Sequence, residues 1–174
     1  ELRLGVPALS RLYEYWTYLQ VLIAARARYG QPIGAGFEPL AISLPGRRRR
    51  LALPPETTVT FPGPVHVAFE PRITSRGDGW MGVEYVPHPD QDRQQVVARP
   101  DIVVFQGGSH PSLTIFDAKY VGRGWVEREA ARLHEKYSRM RMNGTPVVRN
   151  VMAIHPHHGL EAQWAGYGHL TMAP

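Results

Sequence analysis

The chain has no cysteine. Disulfides, thiolate metal sites and thiol nucleophiles are therefore excluded, and the composition fits a reducing compartment, with the cytoplasm as default. It also lacks any run of the roughly 18 to 20 apolar residues that spans a bilayer, because Arg26 and Arg28 break the longest apolar stretch, residues 21–27; no membrane span is expected. The opening Glu1-Leu2-Arg3-Leu4 carries neither an initiator Met nor a basic-then-apolar leader, so the chain reads as a single domain excised from a longer protein. Gly-rich phosphate loops, a Gly-x-Ser-x-Gly elbow and a dinucleotide fingerprint are missing, which argues against ATPase, serine-hydrolase and dehydrogenase chemistry. Lysine is scarce too. Lys and Arg together number 20, and only Lys119 and Lys136 are Lys.

What is present is enough apolar residue, 43 % of 174, to build one core, and too short a chain for two comfortable domains. A formal charge of +5 and a pI near 9.8 point to a polyanionic partner, of which nucleic acid is the commonest for a basic domain.

The spacing of Tyr13, Trp16, Leu19 and Ile23 predicts a first helix, with Ser10 as N-cap and Gly30 as its stop. From 31 to about 98 the prolines leave room for short strands only, near 40–44, 48–53, 65–69, 82–86 and 94–98, and this stretch is read as an irregular β insertion. Residues 102–105 and 113–116 are apolar runs joined by Gly107-Gly108-Ser109-His110-Pro111, the pattern of a buried hairpin. Val126, Ala130, Leu133, Tyr137 and Met140 then repeat at intervals of three and four, a second helix ended by Asn143-Gly144. Strands are expected over 147–154 and about 167–172. This order predicts an α/β fold with a mixed central sheet flanked by helices.

Chemistry concentrates at Arg99-Pro100-Asp101 and Phe116-Asp117-Ala118-Lys119-Tyr120. Residues two apart on a strand share a face, so Asp117 and Lys119 converge, and strand pairing would bring Asp101 beside Asp117. Two carboxylates and the Ala118 backbone carbonyl form an all-oxygen site suited to Mg²⁺, with Mn²⁺ as substitute. A plain Asp-x-Lys ion pair is the bland alternative, but Arg would serve there and this chain otherwise uses Arg; a compact ammonium is a different tool. Glu14, set among Leu12, Tyr13, Tyr15 and Trp16, either faces solvent or reaches the metal or its water shell. Arg47-Arg48-Arg49-Arg50 is read as a strand whose arginines face a phosphate backbone, with contact to a subunit or to a domain outside this chain as the competing reading. His155-Pro156-His157-His158 is read as a loop rather than a zinc site.

With Leu12-Tyr13-Glu14-Tyr15-Trp16 ahead, a Tyr137-bearing helix behind and Gly166-Tyr167-Gly168-His169-Leu170 at the end, these motifs resemble the PD-(D/E)XK nuclease superfamily, in its McrC-like branch associated with restriction and phage defence. The resemblance spans nearly the whole chain, although 31–95 matches only in character. It implies a restriction-endonuclease-like core of α-β-β-β-α-β order and a Mg²⁺-dependent endonuclease cutting DNA. Asp101 and Asp117 would be metal ligands, Lys119 the catalytic lysine and Glu14 an accessory acid. Tyr120 and Tyr137 are placed near the nucleic acid. Leu133 departs from the pattern, since relatives often carry Lys or Gln one turn before the Tyr, and Tyr137 is equally well explained as a core aromatic. A partner NTPase or a specificity domain outside this chain would choose the target, and self-association is left open. The rival reading is a nuclease-like module that grips nucleic acid without cutting.

Overall fold

The computed structural model describes residues 6–33, 42–43, 50–51, 53–87 and 97–172. Helix α1, Val6–Tyr29, buries Tyr15, Tyr18, Val21, Leu22 and Ala25, a stripe at intervals of three and four. Ser10, expected to cap this helix, lies inside it. Gly30 ends the helix as expected: its φ of 92° is a left-handed conformation that costs glycine little, and its N–H reaches the Arg26 carbonyl at 3.0 Å.

Seven strands form the main sheet: β1 (Thr57–Phe61), β2 (Val65–Phe69), β3 (Ile102–Gln106), β4 (Ser112–Ala118), β5 (Val148–His155), β6 (Ala162–Trp164) and β7 (Tyr167–Thr171), in the spatial order β6-β7-β5-β4-β3-β2-β1. β1 to β4 are successively antiparallel; β5 runs parallel to β4 and to β7. The β4-to-β5 connection carries α2, Val126–Tyr137, the helical crossover that parallel neighbours need. The architecture is α/β, with a mixed open sheet between two helices. β1 and β2 fall in the stretch read as an insertion, yet they pair directly onto the edge of the main sheet. Five short strands form a second sheet in the order Thr145–Pro146, Met140–Met142, Glu84–Tyr85, Ile73–Thr74 and Val97–Ala98, and Ile42–Ser43 pairs with Arg50–Leu51. The second helix was expected to run past Met140; it ends at Tyr137, and Met140 instead starts a strand bonded to Tyr85.

The two faces of the main sheet are distinct. Phe69, Ile102, Phe116 and Met152 are cross-strand partners in one row and point toward α1. Leu113, Ile115, Val151 and Ala153 face Ala130, Leu133 and Tyr137 of α2. Deleting Leu133, which is fully buried there, would cost about 2 to 5 kcal/mol. Among the described residues no helix is long and apolar enough to cross a membrane.

Candidate functional site

The β3–β4 register decides where the acids meet. Ile102 pairs with Phe116, so Asp101, one residue before the strand, comes level with Asp117. The pairing is tied off by the Ala118 amide, which donates to Asp101 Oδ2 at 2.7 Å. Asp117 stands on the α2 side of β4, and its neighbour on β5 is Ala153, small enough to leave room beside the carboxylate. Lys119 follows two residues later, anchored by its own N–H to the Ile154 carbonyl at 2.7 Å. The expected convergence of Asp101, Asp117 and Lys119 is therefore present.

Asp117 is only 2 % exposed, and its two oxygens have separate partners. Oδ2 accepts the Tyr137 hydroxyl at 2.9 Å; Oδ1 faces the Lys119 ammonium and, among the described residues, accepts no other bond. Tyr137 is buried on the apolar stripe of α2 and also accepts from Lys136 Nζ at 3.1 Å. The ring of Tyr137 is core, and its hydroxyl lies behind Asp117 rather than at the surface, away from where a nucleic acid would contact it. Leu133 is pure core. Lys136 was not singled out in the sequence; its place immediately before Tyr137 was the available signal.

Crowded negative charge sets the electrostatics. Burial, Asp117 and Glu14 push the Asp101 carboxyl well above the ordinary carboxylate range, with Lys119 and the Ala118 amide pulling the other way. Burial opposes charge on Lys119, but the fields of Asp117 and Asp101 outweigh it and raise its pKa. The ammonium is thus held protonated, and burial together with Asp117 raises the Tyr137 hydroxyl as well.

Glu14 does not sit alone on a solvent face. Arg11, one helical turn earlier, donates to Glu14 Oε2 at 2.7 Å and grips both oxygens of Glu70, Nη2 to Oε2 at 2.9 Å. Its guanidinium lies over the rings of Tyr15 and Phe69, 4.9 and 5.0 Å from their centroids. Glu70 was missed in the sequence. It follows β2 with φ of 46°, a left-handed conformation unfavourable for a residue with a Cβ, and its N–H bonds the Asp101 carbonyl at 2.8 Å. Such strain is held by surrounding structure and recurs at functional sites. Tyr120 is half exposed and meets Tyr13 edge-on at 6.0 Å.

Among the described residues no group of three or more His, Asp or Glu side chains converges as a metal cage. That does not count against Mg²⁺, which is usually held by one or two carboxylates with waters and substrate phosphate completing its shell. Asp101 beside Asp117, with a buried Oδ1 whose partner is a displaceable ammonium, fits that donor set. Of Ala118, the backbone contact seen is its N–H on Asp101. Arg47, Arg48 and Arg49 lie outside the described residues, and Arg50 enters only through the pairing of its backbone with Ser43. His155 is fully buried, with Nε2 3.1 Å from His169 Nδ1 and Nδ1 accepting the His157 amide at 3.2 Å, so it serves an internal hydrogen-bond chain.

No protein family, curated protein or solved structure matches the chain.

Proposed function

We propose that this domain is a Mg²⁺- or Mn²⁺-dependent endonuclease that hydrolyses DNA phosphodiester bonds, with a restriction-endonuclease-like core of the PD-(D/E)XK type, working in a restriction or phage-defence setting. The observation that carries the proposal is the level pairing of Asp101 and Asp117 across β3 and β4, with Lys119 two residues on. The element order supports it: α1, the antiparallel strands β2 to β4, α2, and β5 parallel to β4 follow the order α-β-β-β-α-β, with β1 added ahead of β2 and β6 and β7 after β5.

In this reading Asp101 and Asp117, with the Ala118 carbonyl, hold the divalent ion. The bound ion supplies Lewis acidity that offsets phosphate charge and lowers the pKa of water. Lys119, kept protonated by the two aspartates, donates to a phosphate oxygen or orients the attacking water. Tyr137 fixes the rotamer of Asp117. Glu14, aimed by Arg11, accepts from water near Asp101, and Glu70 is held beside it. A plasmid-nicking assay with Mg²⁺ or Mn²⁺ against EDTA separates this proposal from a binding module. Metal-dependent cutting that is lost in Asp117→Ala supports it; binding without cutting under every metal condition favours the rival.

A further inference from the structure

After Lys119 the chain leaves the sheet through Tyr120-Val121-Gly122-Arg123-Gly124-Trp125 and enters α2 at Val126. Trp125 is 55 % exposed and Tyr120 50 %. Trp125 is fixed at the head of α2 by its N–H to the Gly122 carbonyl at 2.9 Å, and the Arg128 guanidinium lies 5.3 Å from its ring centroid. Tyr120 leans on Tyr13, which is stacked in turn on Trp16 at 5.9 Å. Arg123 and Arg128 are exposed, and among the described residues no carboxylate pairs with either.

So large an exposed indole contributes little to a core. A flat ring with a guanidinium over one face is chemistry that suits an unpaired base on the other face. A closed duplex fits less well, since its base faces are already stacked. The other exposed indole, Trp164, is stacked on Tyr167 at 5.0 Å, and among the described residues no guanidinium lies over it. Six residues from Lys119 to Trp125 reach at most about 20 Å, which keeps Trp125 within a few nucleotides of a phosphate at Lys119.

Building on the nuclease proposal, we infer that Trp125, backed by Arg128, is a stacking platform for an unpaired DNA base, which makes the substrate class single-stranded or frayed DNA rather than closed duplex. The test is fluorescence anisotropy in Ca²⁺ buffer with labelled oligo(dT), oligo(rU) and a duplex of equal length, about 15 nucleotides, on the whole chain and on Trp125→Ala and Trp125→Phe. Wild type should prefer oligo(dT). Trp125→Ala should lose about 5- to 150-fold on oligo(dT), a stacked base's worth, and change little on duplex, while Trp125→Phe restores most of the loss. Equal losses on strand and duplex, an unchanged strand affinity in Trp125→Ala, or a preference for oligo(rU) would each overturn the inference. Mn²⁺-dependent cleavage measured alongside keeps the two proposals apart. Cutting with no Trp125 effect sinks the platform alone; a Trp125-dependent strand preference without cutting keeps the platform and sinks the nuclease.

Discussion

The Tyr137 hydroxyl donates to Asp117 Oδ2 across 2.9 Å, so a residue near the end of α2 holds one oxygen of the carboxylate while Lys119 faces the other. A buried carboxylate with a fixed rotamer is what a metal or phosphate site needs, because misplacement by even 1 Å is costly to turnover. Tyr137→Phe keeps the ring in the core and removes only that donor. Stability should fall by about 1 to 2 kcal/mol, and Mn²⁺ affinity by calorimetry should weaken about tenfold, within the range for a lost outer-shell partner. An unchanged Mn²⁺ affinity would reduce Tyr137 to a packing residue.

Asp101 couples the site to pH. Because its folded pKa is raised, its contribution to stability is complete below the ordinary carboxylate value of about 3.9 and is lost as pH rises through the raised one. At neutral pH the metal-free protein has therefore lost stability that it holds in acid. Asp101→Asn removes the charge and keeps an acceptor for the Ala118 amide, so without metal its Tm should exceed that of wild type near neutrality, the gap closing toward pH 4. Mn²⁺ should raise the Tm of wild type and not of the variant. A lower metal-free Tm for Asp101→Asn at neutral pH would contradict this reading of the site.

Arg11 joins two acids that are far apart in sequence. Its side chain is 35 % exposed, so solvent screens the pairing, and Arg11→Ala should cost only about 1 to 2 kcal/mol in urea unfolding. If Arg11 aims Glu14, cleavage should fall by more than the lost stability explains, with Mn²⁺ affinity nearly intact. Arg11→Lys, a point charge in place of a fork, should restore the activity only partly. Loss of stability alone would make the clamp structural.

The core of the site was legible because it is local: strand periodicity puts Asp117 and Lys119 on one face, and a short Gly-rich loop forces 102–105 against 113–116. Glu70 was not legible, since its grip on Arg11 spans 59 residues and its φ of 46° has no signature in a Glu. β1 was missed because Pro54, Pro55 and Pro62 advertise a break, whereas burial of Val59 and Phe61 against α1 makes it a strand. Ser10 was misread because a good cap residue is also tolerated inside a helix that tertiary packing holds. The bond from Tyr137 to Asp117 depends on how α2 crosses the sheet, which periodicity along the helix does not encode.

The central claim is tested most directly by single-turnover cleavage of a labelled oligonucleotide in Mn²⁺, with metal binding measured in parallel, for wild type, Asp117→Ala, Lys119→Ala and Lys119→Arg. Asp117→Ala should lose both metal binding and cutting, since it removes an anionic oxygen from a hard cation. Lys119→Ala should hold Mn²⁺ as well as or better than wild type, because a competing ammonium is gone, while turnover falls by about 10² or more, and Lys119→Arg should recover only part of it. Full activity in Lys119→Ala, or metal-dependent cutting that survives in Asp117→Ala, would contradict the assignment of this site.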